Sequence, residues 1–155
     1  MLRLALAALV AFGVDQGSKY YVLEVLNLAE VGRIDVAPPY LRFAMAWNHG
    51  INFGLFGSGA ETGRWLLTAI AVAISAAVFW WARGRDDRWF NVGAGLVVGG
   101  AFGNALDRVV HGAVVDFLNM SCCGVANPYS FNLADVFIFA GAGLLILRGG
   151  EPAKS

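Results

Sequence analysis

The chain has 155 residues, 58% hydrophobic and 14% charged, with a mean hydropathy of +0.62. Soluble domains carry roughly 25% charged residues, so this composition excludes an ordinary soluble protein and, more firmly, a disordered one. Eleven basic and eleven acidic side chains leave no net charge, which excludes the basic excess of a nucleic-acid binder.

A helix that crosses a bilayer needs about 20 predominantly apolar residues, and four segments qualify. The first runs roughly from Leu4 to Leu26, with polar residues in its second half. One Arg followed by an apolar run resembles a signal peptide, but no A-x-A-like site precedes Asp15, so the segment is expected to be retained. The others run roughly from Trp65 to Ala82, from Trp89 to Leu106 and from Asn132 to Leu147. The expected fold is an all-α membrane protein, one domain over 1–155, with four transmembrane helices. Outer loops are expected at about 27–64 and 109–131. In the first, YLRFAMAW after Pro38-Pro39 predicts a short strand or two on the membrane surface, a small β-rich region ending at the turn Gly57-Ser58-Gly59.

Orientation follows from the basic residues. Arg83, Arg85 and Arg88 share a side with Arg3, Arg148 and Lys154, whereas Arg33, Arg42 and Arg64 are spread over a longer stretch. Both termini are therefore expected in the cytoplasm and both long loops outside. Trp65, Trp80, Trp81 and Trp89 lie near segment ends, where interfacial aromatics belong. Gly95, Gly99 and Gly103 repeat G-x-x-x-G on one helical face and predict close approach of another helix. Cys122 and Cys123 are adjacent and make no disulfide framework; His49 and His111 are isolated, so no metal site is expected.

Charged residues inside apolar segments are costly, and a chain that keeps several uses them. Asp15 and Lys19 stand four apart on one face, as an ion pair or as a contact to a headgroup or peptide. Asn48-His49-Gly50 leads the loop before the second segment, either as a plain Asn/Gly turn or as a loop that holds an extended substrate. Asn104, Asp107 and Arg108 close the third segment and suit a polar network that ties helix ends together. Asp116 follows Val114-Val115 with no local partner, so its pKa is expected to rise by desolvation. Asn132 and Asp135 open the fourth segment, where the helix dipole favours an anion. Because the third and fourth segments are antiparallel, Asp116 and Asp135 are expected at the same height outside. Two carboxyls held together in a dry place share a proton, and such a pair can activate water and polarise a peptide carbonyl. No Ser–His–Asp arrangement or G-x-S-x-G competes with them. A proton or ion carrier would string its acids across the membrane rather than cluster them, and an assembly factor would have no use for paired carboxylates.

The blocks Gly99-Gly100-Ala101-Phe102-Gly103-Asn104-Ala105-Leu106-Asp107-Arg108, Gly112-Ala113-Val114-Val115-Asp116-Phe117 and Phe131-Asn132-Leu133-Ala134-Asp135 closely resemble those of the lipoprotein signal peptidases (signal peptidase II). Asp15-Gln16-Gly17-Ser18-Lys19 resembles the family's D-x-x-x-K, and Asn48-His49-Gly50 its N-x-G loop. The resemblance implies an intramembrane aspartyl endopeptidase of the bacterial inner membrane. Such an enzyme removes the signal peptide from diacylglyceryl-modified prolipoproteins by cutting before the lipidated Cys. It implies Asp116 and Asp135 as the catalytic pair, and Asp15, Lys19, Asn48, Gly50, Asn104, Asp107, Arg108, Asn132 and Ala134 as supporting residues. It also implies no cofactor, contact with membrane lipids, inhibition by globomycin-type cyclic peptides, and a monomer. The segment Ile51-Asn52-Phe53-Gly54 departs from the family, which often has small residues and a Ser there.

Overall fold

A computed structural model describes residues 1–50, 59–125 and 127–149. Ile51 to Gly54 and Gly57-Ser58 lie outside the described residues. Each apolar segment is helical. Helix α1 spans Leu2–Tyr20 and continues through a π-helical turn, Tyr21–Val25. A single turn α2, Leu28–Val31, leads to strands β1, Arg33–Ala37, and β2, Leu41–Asn48. Then come α3, Gly59–Ala82, α4, Arg88–His111, strand β3, Val114–Met120, and α5, Leu133–Gly149.

Several of these were not expected from the sequence, among them α2, a strand before Pro38-Pro39, and the start of α3 at Gly59, where the outer loop and its glycine turn were expected to continue to Trp65. The loop at 109–131 holds β3, whose Val114-Val115 and Phe117 are a strand signal beside Gly112, and α4 runs on to His111. Gly112 stops that helix. It adopts φ +80° and donates its N–H to the carbonyl of Arg108 at 3.1 Å, the left-handed cap that glycine adopts without a Cβ penalty. At the other end, the Asp87 carboxylate accepts the N–H of Phe90.

Helix α4 lies at the centre, with α1, α3 and α5 packed against it. Its glycines make this close packing physically available. A Cβ on Gly95 or Gly99 would overlap the α1 backbone at Leu4 or Ala8, as the G-x-x-x-G face predicts. A second set, Gly93 and Gly100, serves the opposite face. A Cβ there would come within 2.9 Å of the carbonyl of Gly141 or 2.6 Å of that of Ala134, both on α5.

The exterior of the helices is apolar: Leu6 and Leu9 on α1, Ile70 and Ile74 on α3, Val110 on α4, and Phe139, Ile146 and Leu147 on α5 are all exposed. Asp15, Lys19, Asp107, Asp116 and Asn132 are buried. Polar inside and apolar outside suits lipid, not water. Among the described residues, the stretch Glu61–Ala82 alone combines the length and apolarity of a bilayer span. Helix α1 carries Arg3, Asp15 and Lys19, α4 carries five glycines with Asn91 and Asn104, and α5 covers 17 residues.

The three strands form one antiparallel sheet in the order β1-β2-β3. Val115 and Phe117 of β3 pack on Val22 and Leu28, so one face of the sheet is fastened to the end of α1. Phe43 meets Phe117 edge to face, with ring centres 5.6 Å apart.

Candidate active site

The buried polar groups form one network where the ends of α1, α4 and α5 meet β3. Its base is Lys19. The ammonium lies 2.8 Å from Asp15 Oδ2, 2.7 Å from Asp107 Oδ2 and 3.2 Å from Asn104 Oδ1. Three acceptors match its three N–H groups, which is what a buried charge requires if it is not to destabilise the fold. The carboxylates are satisfied in turn. Asp15 Oδ1 accepts the Ala134 N–H at 2.9 Å, and Asp107 Oδ2 accepts the Val115 N–H at 3.1 Å. The Asp15–Lys19 pair is thus the ion pair that the i, i+4 spacing indicates, with Asp107 added from another helix.

Two contributors escaped the sequence analysis. Gln16 Nε2 donates to Asp107 Oδ1 at 2.9 Å, to Asp15 Oδ2 at 3.1 Å and to the Gly103 carbonyl at 3.3 Å. A lone amide in an apolar span was the available signal. Gly103 is more than a packing position, because a Cβ there would overlap the Asp15 carboxylate.

Above this base stand the two candidate catalytic carboxyls. Asp135 is in the first turn of α5, and Asn132 caps that turn. Asn132 Oδ1 accepts the Asp135 N–H at 3.0 Å while Asp135 Oδ2 accepts the Asn132 N–H at 3.3 Å, a reciprocal capping box. Asn104 Nδ2 donates to Asp135 Oδ1 at 2.9 Å. Asp116 sits on β3 opposite Ala46. Its Oδ1 accepts from Asn132 Nδ2 at 2.7 Å and its Oδ2 from Asn48 Nδ2 at 2.9 Å. The sequence offered Asp116 no neighbour in the chain, and both partners come from elsewhere. Asn48 reaches it because it pairs with Val114, which puts Asn48 and Asp116 diagonally across the ladder. Asn48 Oδ1 is held by the Gly50 N–H at 2.9 Å, which turns the amide nitrogen toward Asp116. Gly50 has φ +82°, and a Cβ there would overlap Leu67.

Asn104 and Asn132 join the two carboxyls. Asn132 Nδ2 also donates to Asn104 Oδ1 at 3.1 Å, so Asp116, Asn132, Asn104 and Asp135 form a continuous chain of hydrogen bonds. Asp116 lies outside the helices. Burial, reinforced by the charge of Asp135, pushes its pKa to about 6 against the opposing hydrogen bonds of Asn48 and Asn132. Arg108 anchors to the Asn104 carbonyl at 3.3 Å, and its charge acts on Asp107, Asp116 and Asp135. Its buried Nε has no partner among the described residues. All eleven site residues expected from the sequence lie in or beside this network, Gly50 and Ala134 through their backbones. Cys122 and Cys123 are exposed and outside it.

An apolar cavity of about 580 Å³ opens beside Asp135, lined by Phe131, Val136, Phe139 and Ala140. Two carboxyls, one buried and one half-buried, beside an apolar recess in a helical membrane-type fold are an arrangement that suits an aspartic-type hydrolase.

The comparisons agree with that class. The family described as signal peptidase (SPase) II matches residues 7–149. A lipoprotein signal peptidase of Rhodopseudomonas palustris (strain ATCC BAA-98 / CGA009) is 42% identical over 145 residues, covering 91% of this chain and 87% of that one. One of Methylorubrum extorquens (strain PA1) is 38% identical over 148 residues, covering 96% and 85%. A solved structure described as a bacterial membrane enzyme, obtained in meso at 1.9 Å resolution, superposes with a TM-score of 0.77 at 28% identity, covering 94% of this chain and 91% of that one. The chain belongs to the signal peptidase II family of aspartic-type proteases, which process prolipoproteins by removing their signal peptides.

Proposed function

We propose that this chain is an intramembrane aspartyl endopeptidase that cleaves diacylglyceryl-modified prolipoproteins immediately before the lipidated Cys. The observation that carries this is the hydrogen-bonded chain in which Asn132 and Asn104 tie Asp116 to Asp135. Asp135 stands in the first turn of α5, where its Oδ2 accepts the Asn132 N–H. Burial raises the pKa of Asp116 to about 6, which favours its protonated form and suits it to the acid role. Ionised Asp135 takes a proton from a water molecule as the oxygen attacks the scissile carbonyl carbon. Asp116 gives its proton to the carbonyl oxygen. Collapse of the tetrahedral species breaks the C–N bond, with a proton passing to the leaving amine and the carboxyls returning to their starting state. The chemistry balances with water alone and needs no cofactor.

The remaining features fit a bilayer. Helices α1, α3, α4 and α5 act as four spans of a single domain, with both termini cytoplasmic. The sheet and the dyad lie at the extracytoplasmic face of the inner membrane, level with a cysteine whose acyl chains stay in lipid. The apolar recess beside Asp135 opens onto that lipid. Asp15, Lys19 and Asp107 support the dyad from below, while Asn48, Gly50 and Arg108 face the incoming peptide. The enzyme acts as a monomer, and cyclic lipopeptides of the globomycin type block it by occupying the dyad.

The test is cleavage of a diacylglyceryl prolipoprotein by the purified protein in lipid. Wild type is expected to cut before the lipidated Cys. Asp116→Asn and Asp135→Asn are expected to fold, by thermal unfolding, and to be inactive. Turnover surviving in both variants would refute the dyad.

A further inference from the structure

We propose that a furrow between α1 and α3, at the end of the molecule opposite the dyad, binds a phospholipid with an anionic headgroup. Its acyl chain would lie in the furrow and its phosphate against Arg83. The site rests on the bilayer placement proposed above, and nothing in the peptidase chemistry requires it.

Helices α1 and α3 both pack on α4 but meet each other little, and the gap between them is a cavity of about 660 Å³. Met1, Leu2, Leu4, Ala5 and Phe79 line it together with Arg83. Leu4 is buried at the floor, whereas Leu2 and Phe79 are exposed at the sides. Lined this way, the furrow opens sideways. In a bilayer such a space is filled by a lipid chain, because water finds no polar partners there.

The charge of Arg83 selects the headgroup. Arg83 follows the last residue of α3 and lies over the Trp80 ring, 5.1 Å from its centre. Trp80 is itself 71% exposed, as expected of a side chain at the lipid–water boundary. Arg83 is exposed and enters no ion pair among the described residues. The guanidinium therefore stands at headgroup height, and no acceptor among the described residues engages its donors. Exposed Arg3 and Arg88 share this end of the molecule and outnumber the exposed carboxylate of Asp86. One such cation near an anionic headgroup corresponds to about a fivefold preference over a zwitterionic one.

The test places the full chain in zwitterionic detergent with phosphatidylglycerol or phosphatidylcholine of identical acyl chains. Retained lipid is counted by native mass spectrometry, and prolipoprotein cleavage is measured on the same preparation. Wild type is expected to retain phosphatidylglycerol about fivefold over phosphatidylcholine. Arg83→Gln should abolish the preference and Arg83→Lys should keep it. Ala5→Trp, which fills the furrow from an exposed position, should lose both lipids. Equal retention by wild type, an undiminished preference in Arg83→Gln, or unchanged lipid counts in Ala5→Trp would overturn the site. An active enzyme without lipid preference refutes the furrow alone, whereas an inactive wild type that retains phosphatidylglycerol refutes the peptidase reading alone.

Discussion

Asn132 and Asp116 are joined by a 2.7 Å hydrogen bond across sixteen residues of chain and a change of element. The same carboxamide caps the helix that carries Asp135, through its Oδ1. One side chain therefore sets the position of one candidate catalytic carboxyl and starts the helix that presents the other. Asn132→Ala removes both constraints while leaving both carboxyls in place. Its kcat is expected to fall about 100-fold, the cost of a misplacement near 1 Å, with KM little changed. A rise in KM at constant kcat would show instead that Asn132 serves binding alone.

The raised pKa of Asp116 makes the enzyme sensitive to pH. If Asp116 supplies the proton, kcat/KM declines as pH rises through about 6. The hydrogen bond from Asn48 favours the charged form, so Asn48→Ala should move that decline to higher pH, whatever it does to the maximal rate. A midpoint that stays put or moves down contradicts the assignment.

The same shift has a consequence for stability. The folded pKa of Asp116 lies above its ordinary 3.8, so the folded protein binds this proton more tightly than the unfolded chain does. Asp116 thus contributes stability at low pH that is lost as pH rises from near 4 to about 6. Asp116→Asn removes the titrating group at the cost of one of the two accepted hydrogen bonds, so its melting temperature is expected to change less between pH 4 and 6 than that of wild type. An equal pH dependence in the two proteins would mean that Asp116 does not carry the shift.

Lys19 is the single cation between Asp15 and Asp107. Lys19→Met leaves two buried carboxylates facing each other, and breaking a buried ion pair from one side costs about 3–5 kcal/mol. Thermal unfolding in detergent should show that loss, and adding Asp15→Asn should recover part of it. Lys19→Arg is not expected to substitute, because a planar fork cannot reach three acceptors arranged around one ammonium. A Lys19→Met protein as stable as wild type would show that the carboxyls are already neutral.

The glycines of α4 separate packing from propensity. Gly99→Ala forces a Cβ onto the α1 backbone at Ala8, which should cost about 1–3 kcal/mol. Gly13 has open space where a Cβ would go, so Gly13→Ala is expected to be neutral or to stabilise α1 by up to about 1 kcal/mol. Equal effects at the two sites would mean that α1 and α4 are not in the close contact described.

The helices were legible in the sequence because an apolar run long enough to cross a bilayer has few alternatives to helix. The i, i+4 pair of Asp15 and Lys19 and the place of Asn132 and Asp135 at the start of α5 were legible because both relationships lie within one turn of one helix, whereas the capping bonds between Asn132 and Asp135 were not read from the sequence. Strand β3 was not, since seven residues between two helices carry a weak periodic signal and a strand exists only through its partner. The partners of Asp116 were hidden for the same reason. Asn48 comes within 2.9 Å of it through the register of β2 against β3, a pairing across 68 residues that local pattern does not encode. Gln16 and Gly103 acquired their roles only when α1 lay against α4, one by bridging two carboxylates and the other by leaving room for one. Local chemistry and helical period settle which residues are polar where lipid surrounds them. The close approach of helices and the register of a sheet decide which of those residues touch, because contact between distant segments depends on packing that no single segment contains.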